Sequence, residues 1–214
     1  MPTPDLKFAV LATDITIFTI QNGELRILLI PVHIPPFFQH MQGLPGGLIK
    51  PDETADDSAL RHINGKTGLH ITSIKQLSTF SAIKRDPRGR VVSVAYLAFV
   101  PEEQAKKVTL VEGATWVNAL RLPRLAYDHN EIAKKALEVL RDELWYSNLK
   151  QSILPTKFTL SEMQSAFDVI LHSTSDKRNF RKKVASLDIV KKVAGKKMDG
   201  AHRPAELYTF KTNR

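Results

Sequence analysis

Four groups of residues in this chain have types and spacing suited to chemistry. From Asp176 to Leu187, the apolar residues Phe180, Val184 and Leu187 recur at i, i+4 and i+7, leaving Lys177, Arg178, Asn179, Arg181 and Lys182 for the opposite side of a helix. Guanidinium and carboxamide forks pair with guanine and adenine edges, and ammonium groups hold phosphates. Arg178, Arg181 and Asn179 are therefore candidate base readers, and Lys177 and Lys182 candidate phosphate contacts. A second basic set, Lys196, Lys197, His202 and Arg203, follows in a glycine-containing segment suited to an adjacent backbone or minor groove. Third, Lys84-Arg85-Asp86-Pro87-Arg88-Gly89-Arg90 holds four cations in seven residues, which fits a solvated hairpin tip and a ligand-binding loop equally well. Fourth, Asp52, Glu53, Asp56 and Asp57 offer oxygens to a hard cation, but they more simply complement a helix amino terminus. His33, His40, His62 and His70 lack metal-ligand spacing. With no cysteine, disulfides, thiolate metal sites and cysteine nucleophiles are excluded.

The charge is unevenly distributed. The 214 residues carry 31 Lys and Arg against 22 Asp and Glu, a net +9. Residues 151–214 contain 13 basic and 6 acidic side chains, a net +7, which leaves +2 for the first 150. The excess thus points to a polyanionic partner for the last third alone. Hydrophobic residues at 43% and charged residues at 25% are ordinary for a globular chain. The longest apolar stretch, Val91 to Val100, is too short to span a bilayer, and no basic start precedes an apolar core; a cytoplasmic protein is expected.

These residues must be held by a definite set of elements. Lys7–Ile20 and Leu25–Ile30 around Asn22-Gly23 predict a β-hairpin. A helix is expected from Thr54 to Thr67, ended by Gly68, with strands at about Ile71–Phe80 and Val91–Val100 on either side of the basic loop. A long helix follows, with Asp128 as N-cap and Glu131 completing a capping box, running to about Trp145. After a connection containing Pro155, Thr159 and Glu162 cap a helix whose Met163, Phe167, Ile170 and Leu171 share an apolar face. Ser173-Thr174-Ser175 then supplies a turn and N-cap before the cationic helix. Ile189, Val190 and Val193, a loop from Ala194 to Pro204, and Leu207–Phe210 complete a hairpin. Two helices and a hairpin with a basic tip outline a winged helix-turn-helix. The expected division is a domain at 1–150 and a DNA-binding domain at 151–214.

From Gly47 the sequence reads G-L-I-K-P-D-E-T-A-D-D-S-A-L-R-H-I-N-G-K-T-G-L. This resembles the Nudix box, G-x5-E-x7-R-E-U-x-E-E-x-G-U with U aliphatic: Gly47, Glu53, Arg61, Ile63, Gly68 and Leu69 occupy their places. The motif's metal-binding glutamates are replaced by His62, Gly65 and Lys66, which changes the local formal charge from about −3 to +1 with His62 neutral. A divalent cation would be repelled there. Lys66 is a candidate to stand in for the lost cation beside a diphosphate. Together with Asp86–Tyr96, Ala114-Thr115-Trp116, Leu122–His129, Asp176–Val184 and Arg203-Pro204-Ala205, the whole chain resembles the Nudix-related transcriptional regulators.

That resemblance implies an α/β fold, a Nudix α/β/α sandwich followed by a small winged helix-turn-helix domain. It also implies a homodimeric repressor of NAD-biosynthesis or related genes, bound to a palindromic operator in double-stranded DNA and modulated by ADP-ribose or a related sugar metabolite. Gly46, Gly47, Lys66, Arg85, Arg88 and Arg90 would border the effector pocket, and the Asp176–Val184 helix would read DNA with Lys196, Lys197 and Arg203 in the wing. No catalytic residue, metal ligand or cofactor is expected. An active Nudix pyrophosphatase and a non-catalytic adaptor are the competing classes, separable by metal-dependent ADP-ribose hydrolysis and by the salt and sequence dependence of DNA binding.

Overall fold

The computed structural model describes residues 9–197 and 204–211. Val10–Gln21 (β1) and Glu24–Ile34 (β2) form the expected hairpin, with Asn22 and Gly23 at φ 53° and 73°. Both central residues of this two-residue turn lie in the left-handed region, which Asn-Gly tolerates. Phe38–Gly43 (β3) extends the sheet beyond β2, and the short Gly46–Leu48 (β4) pairs with β1. Ala55–Thr67 (α1) has Thr54 and Asp57 as a reciprocal capping box and Gly68 in the left-handed C-cap.

Lys75–Phe80 (β5) and Val91–Phe99 (β6) flank the basic loop. The strand begins at Lys75 rather than Ile71, because Ile71 and Ile74 pack onto the α1-side core from an irregular segment. Glu102–Lys107 (α2) and Thr115–Asn118 (β7) follow, the latter pairing with β2. The main order is β3-β2-β1-β6-β5, with β1 and β6 parallel and the other pairs antiparallel.

Strand alternation divides the sheet's two faces. Ile15, Ile17, Tyr96 and Ala98 face α1 and α2. Phe18, Ala95, Leu97 and Phe99 face His129–Glu143 (α3), giving the α/β/α sandwich. The capping box expected for α3 does not form: Asp128 makes no side-chain cap bond, because Arg85 takes both of its carboxylate oxygens.

Lys150–Ile153 (α4) leads to Leu160–Leu171 (α5) and Lys177–Leu187 (α6), then Val190–Lys197 (β8) pairs with Ala205–Phe210 (β9). Thr159 and Glu162 cap α5 as expected. The cap of α6 is Asp176 rather than the preceding serine-rich turn: its carboxylate accepts from the Asn179 N–H at 2.9 Å. The segment from Ala194 is not loop up to Pro204, because β8 continues to Lys197 through a bulge at Gly195, whose φ of 110° few other residues adopt. Met163, Phe167, Ile170, Phe180, Val184 and Phe210 share one apolar cluster with Leu140, Leu144 and Trp145. The core of the last third is thereby continuous with that under α3.

Candidate functional site

Beside the C-terminal end of α1, the β4 turn and the basic loop enclose a cavity of about 420 Å³, in the size range of small-molecule sites. Gly46, Gly47, Lys66, Arg85 and Arg88, five of the residues expected to border an effector pocket, line it. The two glycines are there for close approach. A Cβ on Gly46 would sit 2.2 Å from the Thr13 carbonyl, and one on Gly47 would sit 2.6 Å from the His62 ring.

The frame of the box is intact. Arg61 Nε donates to Glu53 at 2.8 Å, a second guanidinium bond closes the fork, and Lys50 N–H also donates to Glu53. Arg61 holds the Glu53 carboxyl down to about 2. Glu53 is thereby committed to the loop. The neighbouring acids are also engaged, since Asp57 caps α1 and Asp56 accepts from the Tyr96 hydroxyl. Where the motif places its first helix glutamate, His62 is buried against Gly47 and donates from Nε2 to the Leu48 carbonyl at 3.3 Å. Burial pushes its pKa down, which disfavours a charge there. Gly65 contributes no ligand, and Lys66 reaches back to donate from Nζ to the Gly46 carbonyl at 2.5 Å. Burial of that ammonium lowers its pKa, with Asp14 partly opposing. These residues do not fit a hard divalent cation, which needs several oxygen ligands at once.

The floor is a charge cluster that sequence analysis leaves unassigned. Arg85 has 3% side-chain exposure. It donates to Asp14 at 2.9 Å and, fork to fork, to Asp128 at 2.9 and 2.7 Å. Asp14 also accepts from Ser93 Oγ at 2.7 Å and faces His129 Nε2 at 3.2 Å. His129 Nδ1 accepts from the Leu44 N–H at 2.8 Å, so its ring proton lies on Nε2, facing Asp14. Burial alone would raise the Asp14 carboxyl; His129, Arg85 and Ser93 outweigh it and hold the group well below the usual carboxylate range. The one signal in the sequence is a carboxylate inside an otherwise uncharged strand, Ala12-Thr13-Asp14-Ile15.

Arg88 forks onto Asp86 at 3.0 and 2.7 Å and lies 5.7 Å from the Tyr127 ring centroid. Tyr127, at a left-handed φ of 55°, packs between Phe38 and His129. Arg90, the sixth residue expected at the pocket, does not join them. It lies outside the cavity lining because its guanidinium donates to the Ser81 carbonyl at 2.6 Å, tying the ends of the loop together.

In α6, Lys177, Arg178, Asn179, Arg181 and Lys182 are all exposed, while Phe180 and Val184 are buried. Lys183 is a further exposed cation of the helix, and its Nζ sits 4.3 Å above the Trp145 ring. Lys196 and Lys197 lie exposed on β8, and Lys197 pairs with Glu162 at 2.5 Å. Arg203 and His202 fall outside the described residues.

The two halves find separate counterparts. Residues 11–140 match the NUDIX domain, and residues 151–210 match the NrtR DNA-binding winged helix domain. The chain belongs to the Nudix-related transcriptional regulators. A relative within the family, the ADPR responsive transcriptional repressor NtrR of Acinetobacter baylyi, is 32% identical over 212 residues, covering 96% of this chain and 84% of its own. NrtR of Shewanella oneidensis, solved in complex with a 27mer DNA, is similar with a TM-score of 0.79 at 31% identity, over 94% of this chain and 93% of that one. The NUDIX domain of the same regulator, complexed with ADP ribose, gives 0.55 at 32% identity over 64% and 93%. As a Nudix-related regulator, the chain combines a sandwich with an inverted charge at the metal positions and a winged helix that turns its cations outward. Among the described residues no helix is long and apolar enough to cross a membrane.

Proposed function

We propose that this chain is a transcriptional repressor that binds a palindromic operator as a homodimer and is modulated by ADP-ribose held, uncleaved, in the Nudix pocket. The carrying observation is the site's donor set. Lys66 Nζ, Arg85 and Arg88 border one cavity, whereas the positions that bind metal in active Nudix enzymes hold an inward-turned imidazole and a glycine. Arg88 retains Nη1 after its fork to Asp86, and Lys66 retains two N–H donors. Such a site suits a diphosphate, whose charge needs cationic donors when no metal neutralises it. Tyr127 offers a flat face to the rest of the ligand. The division at residue 150, the DNA contacts of α6 and the wing, and a cytoplasmic location belong to this reading.

Hydrolysis is the first test. ADP-ribose incubated with the protein and magnesium or manganese should remain intact by phosphorus NMR while calorimetry records binding. Steady turnover would reject the non-catalytic reading. The second test uses Lys66. Because its pKa is lowered, its charge is lost at a lower pH than that of an ordinary lysine, so ADP-ribose affinity should begin to fall on the alkaline side below pH 10.5. Lys66→Ala should weaken binding about 10- to 100-fold, in the range for a hydrogen bond to a charged group, and should remove that alkaline limb. An unchanged affinity and pH profile in Lys66→Ala would exclude Lys66 from the anion site.

A further inference from the structure

One helix joins the pocket floor to the reader's core. At its first turn, Asp128 and His129 are both fastened to the floor of the pocket, Asp128 through Arg85 and His129 through Leu44 and Asp14. Fifteen residues of α3 span about 22 Å at 1.5 Å each. At the far end, Arg141 Nε donates to the Ile170 carbonyl of α5 at 2.9 Å. Immediately beyond the helix, Trp145 is inserted in the winged-helix core, 4.7 Å edge-on from Phe167 and 5.5 Å from Phe180, with Lys183 of α6 over its face. Packed cores of this kind transmit displacement rather than absorbing it.

The pocket end is balanced so that one member must yield. Arg85 bridges two carboxylates, and among the described residues its Nη1 has no hydrogen-bond partner. A ligand anion on that guanidinium brings a third negative charge to it. Asp14 is held by three groups, Arg85, Ser93 and His129; among the described residues the Asp128 carboxylate is held by Arg85 alone. Asp128 also forgoes the cap bond that such a residue ordinarily makes. It is therefore the carboxylate with an alternative partner, the Asn130 N–H at the second position of its own helix, which alone in that first turn has no acceptor among the described residues.

We infer that Asp128 is the positioning residue of the effector response: anion binding at Arg85 releases Asp128, the first turn of α3 re-forms around it, and Trp145 carries the shift into the α5–α6 core. Asp128 lines neither the cavity nor the DNA-facing side of α6, so its role is separable from both binding sites. The inference rests on the functional reading above, with ADP-ribose as the ligand.

The experiment compares full-length wild type with Asp128→Ser, which removes the carboxylate but keeps a capping oxygen, and with Asp128→Glu as the conservative rescue. Operator affinity is measured by fluorescence anisotropy with and without saturating ADP-ribose, and ADP-ribose affinity by calorimetry. In the wild type ADP-ribose should weaken operator binding about 5- to 150-fold, and operator DNA should weaken ADP-ribose binding by the same factor. Asp128→Ser caps α3 and leaves Arg85 without that carboxylate, so it should sit in the released state without ligand: operator affinity should already lie near the ADP-ribose-bound wild-type value, ADP-ribose affinity should hold or rise, and both coupling factors should fall below about twofold; Asp128→Glu should recover part of them. In a Trp116→Phe background, ADP-ribose should change Trp145 emission when Asp128 is present and leave it unchanged when the Asp128→Ser change is added. A full operator response to ADP-ribose in Asp128→Ser, an operator affinity there equal to that of ligand-free wild type, or loss of ADP-ribose binding with native circular dichroism would overturn the inference and leave the functional reading standing. Failure of wild type to bind ADP-ribose would overturn both.

Discussion

Arg178→Ala and Arg181→Ala are each expected to weaken binding to the cognate operator by about 5- to 150-fold, the cost of about 1–3 kcal/mol for a lost bidentate base contact, while ADP-ribose affinity is unchanged. The helix face explains the size of the effect. Both guanidinium groups stand on the exposed side of α6, whose opposite side is fixed by Phe180 and Val184, so removing either takes a forked donor from that face and leaves the buried side intact. Lys177→Ala should behave differently. A phosphate contact carries no base information, so this change should weaken cognate and random duplexes alike and reduce the salt slope by about one unit. Anisotropy titrations with cognate and scrambled duplexes at several salt concentrations separate the two classes. A uniform loss in Arg178→Ala and Arg181→Ala would make those residues phosphate contacts, and no loss would remove α6 from the interface.

Phe167→Ala should have the largest effect on stability, about 3–5 kcal/mol, from a cavity that its neighbours cannot close. Phe167 is fully buried on α5 and meets Trp145 edge-on at 4.7 Å and Phe180 perpendicularly at 6.1 Å. Trp145 follows α3 and Phe180 belongs to the basic helix, so the ring links elements on both sides of residue 150. Urea unfolding followed by circular dichroism should show the midpoint falling sharply, with operator binding lost in proportion to unfolding. A change below about 1 kcal/mol would mean that the cluster repacks, against the close packing that its geometry implies.

Much of the local structure was legible because its causes are local. Asn22-Gly23 needs no distant partner to favour its turn; Thr159 and Glu162 satisfy each other's backbone within one turn; Gly68 ends α1 by its own left-handed φ. The apolar period that selects Phe180 and Val184 also leaves Lys177, Arg178, Asn179, Arg181 and Lys182 outside. The site was legible in part. Lys66, Arg85 and Arg88 reach the cavity, but the same loop composition also selected Arg90, and composition cannot say which way a side chain turns.

The failure at Asp128 has a physical cause. Asp128 and Glu131 carry a capping-box spacing, yet a guanidinium 43 residues away displaces the helix N–H groups from the carboxylate, because a forked charged hydrogen bond exceeds a single cap.

The sequence by itself determined the order of the two hairpins and the four longest helices, the separation of charge into a nearly neutral first part and a basic last part, and the loss of carboxylates at the metal positions. Each is a statement about residue type or short-range spacing. Only the tertiary structure decided that Asp14, Arg85, Asp128 and His129 form one cluster, that His62 turns inward, and that Trp145 and Lys183 join α3 to α6. Those contacts join residues far apart in the chain or reverse a local preference, and such pairings are set by how the sheet and helices close on one another, which no periodicity records.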